Sequence, residues 1–517
     1  MEQNASKQIK IGVILSYVFV FFSFIINFIY SPILTRYLGQ NHYGTYSLVI
    51  SIVGYLEILN NGMASTYIKF AAKSVAENEK LANINGVIFV IYMIFACISI
   101  IIGIILIVFL NKIFINFSEE EILEMQIMLI VMLFNIVIVA ISGLFESYVI
   151  LKERFIFQKL LLILKKVLLP ILTIPLLIIG YKSIMVVIVT TLINLCMLVL
   201  NMSYCFKKLN IEIKFKRIEK KLLKEIFVFY IFVIITIVID QINWSIDSII
   251  IGMKRNAKDV AIYTIASQIN SIYMTLATTI SGVFVPKIHF IINQTKEESE
   301  KNEKLIGLVI KTGRIQCMTI FMFLFGFLFF GKRFIILLYG SEYEVAYVLT
   351  LLLIIPISFV VIKGNLLEIY RAKDKQKIRT LIYLGIAIIN ATVSYLVCGK
   401  YGIVASTLGT TISIIIGHII IFNIYDHKVI KINMIKFWKS ILKIVPSFIL
   451  PIITGLMLVE IMDFQNIYIY LLSMFIFSVI YILNIYFIAL NKQEKATIQK
   501  IWNSIRFKIC CNITKNT

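Results

Sequence analysis

The chain has little of what soluble proteins and enzymes are built from. Only 15% of its 517 residues are charged, while 60% are hydrophobic; soluble domains carry about 25% and about 45–50%. This excludes an ordinary soluble enzyme. The seven cysteines form no CxxC pair. Five of them, Cys97, Cys196, Cys205, Cys317 and Cys398, lie in or at the ends of apolar runs, where they read as small packing residues. Cys510 and Cys511 are adjacent in a basic tail that is expected to be cytoplasmic, so no structural disulfide is expected. His42, His289, His418 and His427 are scattered, and none stands at metal-ligand spacing with another His, Cys or carboxylate. No Walker-type glycine loop is present, which excludes ATP hydrolysis by this chain. No cofactor and no metal are expected. The scarcity of proline (seven residues), beside abundant Ile, Lys and Asn, fits an AT-rich genome and carries no functional content.

What is present is a series of fourteen apolar runs, each near the roughly 20 residues that a membrane span needs. The first, 11–34, is too long for a signal-peptide core of about 7–15 residues and lacks a small-x-small cleavage site, so it reads as the first span. The gaps between runs alternate in charge. Of the 50 Lys and Arg, the odd-numbered gaps hold only 9; most of the rest fall in the N-terminus, the even-numbered gaps and the C-terminus. Loops rich in Lys and Arg stay in the cytoplasm, so both termini are expected there. The net charge of +22 therefore reports orientation, and nucleic acid is not expected as a partner. The basic clusters Lys207–Lys224 and Arg371–Arg379 set topology, with anionic lipid contact as a secondary role. The opposite gaps are short, which leaves no room for an outer catalytic domain.

The longest basic gap, 206–225, follows the sixth run and divides the chain. The expected organisation is an N-terminal six-helix lobe (1–205), a basic linker (206–225), a second six-helix lobe (226–425), a last pair of spans (426–490) and a basic tail (491–517). A weak internal echo accompanies this pattern. Ile33-Leu34-Thr35-Arg36-Tyr37-Leu38-Gly39 leads into Tyr43-Gly44-Thr45-Tyr46-Ser47. At an offset of 217, Ile250-Ile251-Gly252-Met253-Lys254-Arg255-Asn256 leads into Val260-Ala261-Ile262-Tyr263-Thr264. Repeats in transporters place the substrate site at the repeat interface.

The run Ser31–Gly39, then Tyr43–Ser47, then Gly62-Met63-Ala64-Ser65-Thr66, resembles the N-terminal signature of bacterial polysaccharide-repeat flippases of the O-antigen and capsule type. These belong to the multidrug/oligosaccharidyl-lipid/polysaccharide exporter superfamily. Asp247–Gly252 leading to Tyr263 resembles the start of that family's second lobe. The resemblance implies an all-α integral membrane protein with a MATE-like fold of about 14 transmembrane helices in two lobes plus a C-terminal pair. It implies alternating access in the bacterial plasma membrane and undecaprenyl-diphosphate-linked oligosaccharide as substrate, with a polysaccharide polymerase and chain-length machinery as partners beside membrane lipids. A cation-coupled multidrug exporter and a lipid II or sporulation-type flippase share the fold. A membrane polymerase or ligase would need a larger outer loop.

Ionisable residues inside a span cost about 2.5–3.5 kcal/mol at its centre on insertion scales. Glu57 lies near the middle of the second run. Asp240 lies in the seventh, with Asn243, Trp244 and Asp247 at +3, +4 and +7 on one helical face. These carboxylates either bind a coupling proton or cation or pair with Lys and Arg to lock helices. The basic candidates are Arg36, Lys165, Lys166 and Lys363, with Lys254 and Arg255 nearer the outer surface. A diphosphate needs such cations to replace its water; the alternative for the lysines is snorkelling to the interface. Tyr43, Tyr46 and Tyr263 read as packing of the repeat turn, with sugar stacking as the alternative.

The charge alternation makes a topological prediction. Alkaline phosphatase inserted within 206–225 should be inactive, and inserted at 399–401 it should be active. The opposite pattern would invert the protein.

Overall fold

The computed structural model describes residues 2–74, 78–215, 220–373, 375–496 and 499. Most of the expected basic tail, with Cys510 and Cys511, lies outside the described residues. The helices in chain order are α1 (Glu2–Leu56), α2 (Ile58–Asn61), α3 (Met63–Ala72), α4 (Asn78–Ile113), α5 (Glu119–Leu151), α6 (Phe155–Ile178) and α7 (Ser183–Lys208). They continue with α8 (Lys220–Lys254), α9 (Ala257–Gly282), α10 (Val285–Gln294), α11 (Glu298–Tyr339), α12 (Val345–Val361) and α13 (Leu366–Ala372). The last are α14 (Gln376–Ile414), α15 (Phe422–Lys428), α16 (Met434–Leu442), α17 (Ile449–Ile461) and α18 (Ile467–Asn484), with a π-helical stretch, Ile415–Ile421, between α14 and α15.

Among the described residues, twelve helical segments are long and apolar enough to cross a membrane. Two of them, Ile14–Leu56 and Gln376–Lys428, have 43 and 53 residues, well beyond one crossing. Each contains one glycine that leaves the helix: Gly39 (φ 70°, ψ 172°) and Gly402 (φ 80°, ψ −173°). That left-handed φ is open to glycine and strained for other residues. Divided at these glycines, the twelve segments become fourteen, the number of apolar runs in the sequence.

The chain forms two compact units. The first comprises Met1–Ser267 with Thr380–Ser413, and the second Gln268–Arg379 with Ile414–Thr517. Neither is continuous in sequence.

In the first unit, side-chain pairs between helices reveal their directions. Glu124 meets Ser183, Asn135 meets Asn194 and Ser142 meets Asn201, each pair 59 residues apart. A constant offset means that α5 and α7 run parallel, as two spans separated by a single intervening crossing must. Between α1 and α6, Asn27 meets Lys166 and Tyr30 meets Thr173, again in parallel order. By contrast Tyr55 bonds the Gln241 carbonyl and Tyr230 bonds the Leu59 carbonyl, so the segment after Gly39 runs antiparallel to α8. In the second unit, Tyr470 bonds the Phe330 carbonyl and Tyr481 that of Met318, which sets α18 antiparallel to α11. Numbered as fourteen spans, the parallel pairs share parity and the antiparallel pairs do not.

Local signals explain where helices begin. Ser118 and Glu121 form a reciprocal capping box at α5, and Glu119–Glu121 place negative charge on its positive end. Asn433 and Asn466 cap α16 and α18. Large apolar side chains point outward in number, for instance Phe21 at 62% exposure and Val108 at 69%. This is the reverse of a water-soluble surface and fits contact with lipid.

The two copies of the sequence echo meet inside the first unit. A Cβ on Gly44 would lie 1.9 Å from the Ala257 carbonyl oxygen. Backbone cannot yield that far without moving a helix. Gly44→Ala should therefore cost about 1–3 kcal/mol, the usual range for overpacking. Thermal unfolding in detergent should show a clear fall in midpoint; an unchanged midpoint would refute the close seam.

Candidate functional site

Among the described residues, three groups of charged side chains include the residues the sequence singled out, two in the first unit and one in the second. The first surrounds Glu57. This residue occupies the break between α1 and α2, where its N–H still bonds the Val53 carbonyl and its own carbonyl accepts from Asn60 and Asn61. Its carboxylate is half-buried, and the cation acting on it is Lys165 of α6. Lys166, next along α6, donates to the Asn27 side chain at 2.8 Å. Lys165 is exposed although it sits well inside a 24-residue span. An ammonium at that depth is costly in hydrocarbon, which favours a cavity-facing position over a lipid-facing one. Two cations and one carboxylate give the group a net positive charge suited to an anion. Arg36 is exposed three residues before Gly39.

The second group centres on Asp247 of α8, which is 2% exposed. Its Oδ2 accepts hydrogen bonds from Tyr263 of α9 at 3.1 Å and Thr410 of α14 at 2.9 Å. Asn390 and Ser394, one turn apart on α14, complete the shell and are themselves buried. Oδ1 receives no hydrogen bond of normal geometry. Every neighbour in this shell is neutral. A carboxylate sealed among neutral donors is stable only when it is protonated or holds a cation. Among the described residues no three His, Cys, Asp or Glu converge as a metal site, so a proton or a monovalent cation suits this single carboxylate. The other residues of the predicted face differ in setting. Asp240 is exposed, Trp244 is 38% exposed, and the Asn243 amide turns back to the Ile239 carbonyl of its own helix.

The third group lies in the second unit, where the chain leaves helix over Ile362–Asn365 between α12 and α13. Lys363 does not snorkel. Its side chain is 6% exposed and sits 3.5 Å from Asp426, which is fully buried. Its ammonium also donates to the His418 carbonyl at 2.9 Å. That carbonyl belongs to the π-helical stretch, where widened turns leave backbone acceptors for other partners. Tyr370 donates to the second Asp426 oxygen. Beside this pair, Asn365 donates to Thr312 at 2.9 Å, and Gln316 donates to the Ala277 carbonyl and to Ser281. The break thus lies among polar side chains, with the Lys363 ammonium and the Asn365 side-chain N–H both engaged.

Sequence reasoning missed Asp426, Asn390, Ser394 and Thr410. Asp426 stands two residues beyond the expected end of the twelfth run, so it reads as a loop residue. The other three are uncharged, and a search for ionisable residues passes over them. Their available signal was the i, i+4 spacing of Asn390 and Ser394 in an apolar span. Tyr43 and Tyr263 are buried at 1% and 3%, which suits packing of the repeat turn.

A family profile described as "Polysaccharide biosynthesis protein" matches residues 9–292, more than half of the chain. No curated protein sequence matches it. Among solved structures, the lipid II flippase MurJ in an inward closed conformation superposes with a TM-score of 0.71 at 16% identity, covering 91% of this chain and 98% of that one. An inward-facing multidrug resistance MATE family transporter of the MOP superfamily gives 0.58 at 12% identity, covering 79% and 96%. A Vibrio cholerae MATE transporter gives 0.55 at 13% identity, covering 84% and 99%. The likeness establishes an all-α, multi-pass membrane fold of the MurJ and MATE type.

Removing one partner of a buried ion pair leaves the other charge uncompensated, at a cost of about 3–5 kcal/mol. Lys363→Met and Asp426→Leu should each destabilise by that order, and the double variant should recover most of the loss. A double-mutant cycle on unfolding in detergent measures this; additive losses would show that the two charges act separately.

Proposed function

The chain belongs to the polysaccharide biosynthesis protein family, and on that premise we propose that it flips undecaprenyl-diphosphate-linked oligosaccharide repeat units. Transport runs from the cytoplasmic to the outer leaflet by alternating access between two lobes, and it feeds assembly of a cell-surface polysaccharide. Both termini lie in the cytoplasm, and a polymerase with its chain-length machinery takes up the product outside. The observation that carries the reading is the pair Lys165 and Lys166. They are two adjacent cations within a membrane helix, Lys165 exposed and Lys166 half-buried against Asn27, with Glu57 as the carboxylate that Lys165 acts on.

The roles follow from charge. A diphosphate gives up water on leaving the interface and needs cationic donors in exchange. Lys165 and Lys166 supply point charges, and Arg36 can offer bidentate geometry near the end of the first span. Glu57 holds the lysines between substrates, so the site is not left with unbalanced repulsion. Lys363 could offer its charge to a headgroup only by leaving Asp426. Asp240 and Asn243 lie on the same helix as Asp247, two turns and one turn before it.

Two sources of drive fit these features. One elementary charge crossing the membrane is worth about 2.3 kcal/mol per 100 mV. A headgroup crossing outward with roughly two uncompensated charges would gain about 4–5 kcal/mol from an inside-negative potential of that size. Asp247, sealed among neutral donors, is the coupling site for a proton or monovalent cation. Its occupancy couples to the first unit's conformation, because its shell joins α8, α9 and α14.

Deletion should abolish the surface polysaccharide and trap undecaprenyl-linked repeat units on the cytoplasmic side. Lys165→Gln with Lys166→Gln should reduce flipping in proteoliposomes at least tenfold, since hydrogen bonds to a charged group contribute about 1.5–3 kcal/mol. Asp247→Asn should fold normally yet lose any rise in unfolding temperature that Na⁺ or acidification gives the parent. Unimpaired flipping by the lysine variant, with normal folding, would overturn the substrate assignment.

A further inference from the structure

We propose that the groove between α15 and α16 is a binding site for an anionic phospholipid, independent of the lipid that is transported. The groove is open and has a volume of about 470 Å³. Its wall is apolar, formed by Ile424 of α15 and by Trp438 and Leu442 of α16, while Lys428 and Lys439 stand at its edge. Ile424 is 52% exposed and Leu442 is 61% exposed. The Trp438 ring is held in place, since its indole N–H donates to Asn423 at 3.0 Å and its ring meets the edge of Phe437.

Position and charge identify the occupant. α15 closes the segment that ends at Lys428, and α16 opens the one that begins at Met434, so the groove lies where two spans reach the membrane surface. Further along the segment that α16 opens, Val445 and Ile449 are 45% and 57% exposed. An acyl chain can therefore lie in the groove without leaving the bilayer. Trp at such a boundary is typical of an interface anchor. The edge is positive and uncompensated: neither Lys428 nor Lys439 has an acidic partner within ion-pair distance among the described residues. From Asn423 to Lys443 the sequence contains five lysines and one acid, Asp426. That acid is fully buried and already engaged by Lys363 and Tyr370. A phosphate with no ammonium of its own completes this arrangement, whereas a zwitterionic headgroup brings a cation to a cationic edge. Basic pockets at helix ends that recognise anionic headgroups work on this basis.

Trp438 reports on the site directly. The chain has three tryptophans, so Trp244→Phe with Trp502→Phe leaves Trp438 alone. This protein is placed in phosphatidylcholine nanodiscs doped with brominated phosphatidylglycerol or, at equal mole fraction, brominated phosphatidylcholine. The brominated phosphatidylglycerol is expected to quench at least twofold more strongly. Adding Lys428→Gln and Lys439→Gln should equalise the two lipids, while the matched charge loss Lys207→Gln with Lys208→Gln should leave the excess intact. Equal quenching in the parent would overturn the proposal. So would an excess that survives loss of Lys428 and Lys439, or one that the Lys207 and Lys208 pair removes as well, since that would report overall charge.

Discussion

In hydrocarbon a backbone amide finds no water, so each unpaired N–H or C=O costs several kcal/mol. This constraint makes the chain helical wherever it is deep, and it decides where the helices may stop. Between crossings, at Gly39 and Gly402, the chain redirects through glycine. Within crossings, two interruptions stand out among the described residues. At Glu57 the backbone bonds run on through the break. At Ile362–Asn365, polar groups from Thr312, Gln316, Ser281 and Asp426 crowd around the open turn.

Side chains obey the same rule with more freedom, and this protein uses three solutions. Asp426 has a tyrosine hydroxyl and a direct counter-charge, Lys363, that is itself tied to a backbone carbonyl. That arrangement is closed and serves packing. Lys165 remains exposed at depth, and the neighbouring Lys166 is half-buried against Asn27. Asp247 has no counter-charge among the described residues, only neutral donors on one oxygen and none on the other. In the closed pair, loss of either charge alone is costly, because the other is left uncompensated.

Much of the architecture was legible beforehand because it rests on local quantities. The alternation of basic and neutral gaps counted the crossings. The 59-residue offset between α5 and α7, and the reversed order between α11 and α18, agree with that count through side chains that played no part in it. The Tyr43–Ser47 turn and its echo could be seen as related, though not as touching at Gly44 and Ala257. The site was less legible. Asp247 could be placed on a face with Asp240, yet one is sealed and the other open. Helical periodicity gives direction around an axis but says nothing about which neighbours stand there.

The sequence by itself determined that this chain is helical, that it crosses the membrane repeatedly and that its basic loops lie on one side. Those properties follow from run length, hydropathy and loop charge, each read within a few tens of residues. Only the tertiary structure decided which buried charges are already satisfied. Lys363 and Asp426 are 63 residues apart, and Asp247 and Thr410 are 163 apart. Whether a charge at depth is balanced depends on what packs against it, and no local pattern records that.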